Sequence, residues 1–119
     1  THSDIYISMN VILNDKNIAL ELMNTPNSRS TGMMGREYLD GGMLFLFPEI
    51  SEHSFWMKDC LINLDIVFIA GNKITKVYSN CPPCNETKCV GYVGLGDKVL
   101  ELPSGQHTLL EGNTLEFTD

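Results

Sequence analysis

The chain has 119 residues, 43% hydrophobic and 19% charged, a balance that suits one soluble globular domain with its own core and argues against disorder. Its net charge is −7 and its 8 basic residues are scattered, which argues against a nucleic-acid partner, because phosphate backbones are bound by clustered lysine and arginine. No apolar run approaches the roughly 20 residues that cross a bilayer, so no membrane span is expected.

The chain begins at Thr1 rather than methionine, which fits an upstream segment removed biologically or by cloning. Met9–Leu13 and residues 18–23 read as two strands joined by the polar turn Asn14-Asp15-Lys16-Asn17. Ile18, Leu20 and Leu22 alternate with Ala19 and Glu21, as in a half-buried strand. Thr25-Pro26 marks a helix start, with Thr25 as N-cap and Pro26 in the first helical position, and Gly32 and Gly35 keep that helix short. Met43-Leu44-Phe45-Leu46-Phe47, bounded by Gly41-Gly42 and Pro48, reads as a buried strand that the proline ends, followed by a polar loop over residues 49–54. Residues 62–69 and 73–80 form a hairpin through Ala70-Gly71-Asn72. The segment from Cys81 to Cys89 is irregular because Pro82 and Pro83 fix φ and remove donors. Residues 99–102 and 114–117 are the last expected strands. The sum is an α+β domain over residues 1–119, mainly antiparallel β, built as a small curled sheet or partly open barrel with one or two short helices.

Six pieces in order carry a family signature: Gly32-Met33-Met34-Gly35-Arg36, Gly42-Met43-Leu44-Phe45-Leu46-Phe47, Phe55-Trp56-Met57-Lys58, Leu64-Asp65-Ile66, Pro83-Cys84 with Cys89, and Leu100-Glu101-Leu102. From about residue 18 to the C-terminus the chain resembles the domain of unknown function 192 family (uncharacterised protein family 0127). The resemblance implies a compact β-rich domain of bacteria and archaea, often made with a signal peptide, and implies no activity. The chain departs from the family at Asp59-Cys60, where Asn-Thr is usual, and at Asn63, where proline is usual; the segment from Gly105 to Gly112 is also shorter.

Cys84 and Cys89 stand where the family has a cysteine pair, whereas Cys60 and Cys81 are additions. Two bridges, Cys84–Cys89 and Cys60–Cys81, are therefore expected, the second because a tight hairpin returns its ends to each other. A zinc site of all four thiolates and a redox Cys-x-x-Cys remain alternatives, although Pro82-Pro83 is a stiff spacer for either. Paired cysteines favour an extracellular or periplasmic location. Met33, Met34, Met43 and Met57, with His53 nearby in sequence, could bind copper, but methionine in apolar strands more often fills space.

Arg36, Lys58, Asp65 and Glu101 are polar residues set within apolar pieces. Strand-embedded acids face water, pair with a cation, or line a pocket, and a buried acid without a cation has a raised pKa. The expectation drawn from these residues is a binding or accessory module with no assigned catalysis. Arg36, Trp56, Lys58, Asp65 and Glu101 would converge on a small polar or saccharide-like ligand, with Trp56 serving as core plug or stacking platform. Two alternatives are a hydrolase using Asp65 and Glu101 as paired carboxylates, and a metal-binding protein using the cysteines or methionines; no cofactor is assigned, with zinc and copper left open. Residues 55–69 would be the structural spine, with Trp56 and Met57 packed inside.

Overall fold

The computed structural model describes residues 9–119, so the first eight positions of the expected domain lie outside the described residues. The described chain forms β1 (Met9–Leu13), β2 (Lys16–Met23), α1 (Pro26–Thr31), β3 (Gly42–Phe55), β4 (Leu64–Ala70), β5 (Lys73–Cys81), β6 (Tyr92–Pro103) and β7 (Glu116–Thr118). The strands make one mixed sheet in the order β5-β4-β6-β3-β2-β1-β7, antiparallel everywhere except between β2 and β3. The parallel pair follows from the connection: residues 24–41 cross over the sheet and carry α1, and a crossover of that length returns the chain in the same direction.

The short helix starts as its sequence dictates. Thr25 accepts a hydrogen bond from the Ser28 backbone at 3.1 Å, Ser28 answers to the Thr25 N–H at 3.0 Å, and Pro26 holds the first helical position. The β1–β2 turn is tighter than the expected four residues. Asn14 and Asp15 both adopt positive φ, 50° and 64°, as a two-residue hairpin turn demands, so Lys16 and Asn17 already belong to the ladder.

Pro48 does not end β3. The register with β6 shifts between Leu46 and Ser51, so the proline sits where no ladder donor is needed, and residues 51–55, all but the last expected as loop, pair with residues 92–96. The same pairing makes β6 longer than the expected residues 99–102.

The sheet curls into a half-barrel whose edges meet. Lys73 on β5 bridges Thr114 ahead of β7, and hydrogen bonds from Ile74 to Asn113 O, Gly112 to Ile74 O and Leu115 to Asn72 O, each 2.8 Å, stitch the seam. Inside the curl lie Val11, Leu13, Leu20, Leu44, Val67, Ile69, Ile74, Leu100, Leu102 and Leu115. The opposite face carries a second core, with Met43, Phe45, Leu64, Ile66, Phe68 and Val99 from the strands and Met33, Leu39, Met57 and Cys60 from the segments laid over them. Strand β4 is buried on both faces from Leu64 to Ile69. At Gly94 a Cβ would run into the Phe68 ring, which packs edge-on against Phe55 and Tyr78 with centroids 5.9 and 6.1 Å away. Gly94→Ala is expected to lower stability by roughly 1–3 kcal/mol through overpacking, read as a lowered urea midpoint with an unchanged m-value.

Candidate functional site

On the outer face of the curl the covering segments leave a cavity of about 280 Å³. One wall comes from α1 and the loop after it (Arg29, Gly32, Met33, Met34), another from β3 (Phe45, Phe47, His53, Phe55), and a third from Trp56, Lys58 and Cys60. Glu101 projects from β6 among the buried lining residues. The walls are aromatic and interlocked: Phe45 meets Phe55 edge-on at 4.8 Å, Phe47 stacks on His53 at 3.8 Å, and the Arg29 guanidinium lies 5.1 Å from the Phe47 centroid. Gly32 is required where it stands, because it takes φ 45° and a Cβ there would press on the Phe45 ring at 3.1 Å.

The third wall is fixed from behind. Asp59, at a positive φ of 58°, turns the chain so that its carbonyl accepts from Gly35 at 2.9 Å and its N–H donates to Cys84 O at 2.9 Å. Cys84 N–H in turn donates to Met57 O at 3.0 Å. The disulfide Cys84–Cys89 closes this short loop, and the Lys58 ammonium donates to Glu86 O within it at 2.9 Å. The irregular Pro-Pro segment is thus a brace for the Trp56–Cys60 turn.

Glu101 is the unusual group. It is 4% exposed, lies between Met43 and Ile66 in the ladder, and has neither an ion pair nor a hydrogen bond among the described residues. Burial alone pushes its carboxyl up to about 8, so it is protonated near neutrality. Burial, then Glu101 and Asp59, push the Cys60 thiol up to about 11. Cys81 is raised as well, chiefly by burial, with a hydrogen bond to Tyr92 opposing.

The five residues expected to converge do not all meet. Trp56, Lys58 and Glu101 line the cavity. Arg36 lies in another cleft beside Glu37, Tyr38 and Asp40, held by Glu21 through two guanidinium nitrogens, one bond measuring 2.9 Å. Asp65 faces Leu102 across the ladder while Glu101 faces Ile66, so the two acids point to opposite faces of one sheet. The two acids therefore do not share a face, as paired carboxylates acting on one substrate would. Asp65 accepts from the backbone of Asn80 at 2.8 Å and of Gly105 at 3.4 Å and tethers two chain reversals.

Trp56 is also not the expected core plug: it is 52% exposed at the cavity mouth, whereas Met57 beside it is fully buried. The expected Cys60–Cys81 bridge is not formed, and both residues are buried thiols. The hairpin register sets Leu64 opposite Cys81, which leaves Cys60 four residues upstream in a turn closed by its own N–H to Met57 O at 3.2 Å. The bond between Cys84 and Cys89 also removes two of the four thiolates of the alternative zinc site. Of the methionines considered for copper, Met33 and Met34 line the cavity, while Met43 and Met57 are packed in the outer core. Phe47 and Phe55 stand in the family pieces without being marked as site residues, and Arg29 lies three residues before the Gly32-Met33-Met34 piece.

This architecture is that of the domain of unknown function 192 family, described as an uncharacterized ACR, whose sequence profile matches residues 9–117. The chain belongs to that family. Its fold is shared by a Sinorhizobium meliloti protein provisionally described as a transcription regulator, at 28% identity, TM-score 0.75 and 92% coverage of both chains. A Novosphingobium aromaticivorans protein of unknown function is similar at 25% identity and TM-score 0.75, over 92% of this chain and 84% of that one. No curated protein matches the chain.

Two outcomes test this geometry. Thiol titration in denaturant without reductant should find two reactive groups, Cys60 and Cys81, and almost none in the native state. Because the Glu101 carboxyl is raised on folding, the native state holds its proton more tightly. Its contribution is neutral at pH values below the unfolded carboxylate range, and stability is lost as pH rises from there to about 8. Glu101→Gln should flatten that decline in melting temperature and be the more stable protein at alkaline pH.

Proposed function

We propose that the protein is a binding or accessory module that holds a small polar molecule, of monosaccharide or amino-acid size, in the cavity between α1 and β3. The observation that carries this reading is Glu101: a buried carboxyl group with no partner among the described residues costs stability, and it lies where an incoming molecule could satisfy it. Its surroundings support the reading. At 280 Å³ the cavity is at the small end of ligand sites, which suits one ring or one amino acid rather than a chain of sugars. Trp56 offers an exposed aromatic face at the mouth, and Lys58 and Arg29 stand half-exposed beside it.

The Cys84–Cys89 disulfide supports placement in an extracellular or periplasmic setting, where such a bridge persists. Among the described residues no helix is long and apolar enough to cross a membrane. The regulator description of the Sinorhizobium meliloti relative is not extended to this chain, because a net charge of −7 offers phosphate backbones little attraction.

Trp56 is the only tryptophan and therefore reports on the cavity directly. Titration with a panel of monosaccharides and amino acids should give a saturable change in its emission for at least one class. Glu101→Gln and Lys58→Ala should each weaken that binding about tenfold or more, equivalent to roughly 1.4 kcal/mol, with Lys58→Ala leaving the melting temperature nearly unchanged. Silence across the panel, or binding indifferent to both substitutions, would reject the cavity as the site.

A further inference from the structure

The cavity is graded in polarity, and the grading selects among small polar molecules. At its buried end Glu101 faces Met43 of β3 and Ile66 of β4 across the ladder, with the Cys60 and Cys81 thiols nearby, and burial is the only influence on its carboxyl. Among the described residues no cation pairs with the acid. The same cavity is lined by the Phe45 and Phe55 rings and the Met33 thioether, surfaces that favour a positive charge or an apolar side chain.

The mouth has the opposite character. The Arg29 guanidinium donates through Nε to Leu46 O at 2.8 Å and through Nη2 to Asn24 O at 3.2 Å, which leaves Nη1 without a partner among the described residues. Lys58 uses its ammonium on Glu86 O. Both cations are thus oriented by backbone carbonyls, and neither has a carboxylate within ion-pair distance among the described residues. Among the described residues, then, the buried acid has no cation partner and the two half-exposed cations have no anion partner.

Building on the binding role proposed above, we infer that the ligand is a small zwitterion of the amino-acid class with an apolar side chain. Its ammonium group reaches Glu101, its side chain lies against Phe45, Phe55 and Met33, and its carboxylate faces Arg29 and Lys58. A neutral sugar could satisfy the protonated acid but would leave both cations unmatched. When the ammonium binds, Glu101 ionises and its proton passes to the buffer; the ligand keeps its own, so charge and protons balance.

The test is calorimetric titration near neutral pH in two buffers of different ionisation heat, with Trp56 emission as a second readout. The probes are L-leucine, N-acetyl-L-leucine, L-leucinamide and glucose. L-Leucine should bind with release of close to one proton, because Glu101 is protonated in the free protein at that pH. N-Acetyl-L-leucine should bind at least tenfold more weakly with no proton release, and L-leucinamide should release the proton but bind more weakly. In Glu101→Gln the proton release should vanish and the preference for L-leucine over its N-acetyl form should collapse. Equal binding of L-leucine and N-acetyl-L-leucine without proton release would overturn the amine assignment while leaving the cavity as a site. Equal binding of L-leucine and L-leucinamide would overturn the role of the cationic rim. Binding of glucose alone would overturn the zwitterion and retain the binding module, and a null result with all four probes would overturn the zwitterion, with the wider panel deciding the cavity.

Discussion

Strand β4 is buried on both faces, and most of the fold is the consequence of covering it twice. Leu64, Ile66 and Phe68 point one way, Asp65, Val67 and Ile69 the other, and every one of them is buried. A sheet with two apolar faces needs two covers. The chain provides the first by curling, so that β1, β2 and the seam between Lys73 and Thr114 enclose one face without added layers. The second face is covered by separate pieces: the glycine-rich segment after α1, with Met33 and Leu39, and the Trp56–Cys60 turn, with Met57 and Cys60.

The two covers differ in quality. Inside the curl, strands supply paired backbone and alternating side chains that meet in one apolar cluster. Outside, a helix of six residues and two irregular segments meet over a sheet, and a gap remains. The brace from Cys84 through Met57 and Asp59 to Gly35 ties the covering segments to one another, and Arg29 Nε ties α1 to Leu46 O of the sheet. The site is thus a product of incomplete coverage held rigid, which is also why the carboxyl of Glu101 can remain unpaired there. An acid among tightly packed strands would need a partner or would be replaced by an apolar residue of its own shape.

Much of this was legible in the residues. The capping pair Thr25-Pro26 placed α1, the apolar run over residues 43–47 placed the start of β3, and the turn at Ala70-Gly71-Asn72 placed the β4–β5 hairpin. Lys58, Glu101 and Trp56 were identified as polar or aromatic residues inside apolar pieces, and the structure brings these three together. Arg36 and Asp65 carried the same signal and lie elsewhere, because a polar residue in an apolar stretch registers a local conflict without saying which face resolves it. For Asp65 the resolution is two backbone N–H groups; for Arg36 it is Glu21, fifteen residues away.

What the sequence by itself determined is whatever short-range chemistry governs: the helix cap, the hairpin turns, the alternation that sorts side chains onto two faces, and the membership of a family with a shared set of motifs. What only the tertiary structure decided is how those faces are used. Strand register set Leu64 rather than Cys60 across from Cys81, a bulge carried β3 past Pro48, and parity along β4 and β6 sent Asp65 and Glu101 to opposite sides of one sheet. Register and bulges depend on pairings between residues far apart in the chain, where a shift of one position exchanges inside for outside, and no local pattern encodes that choice.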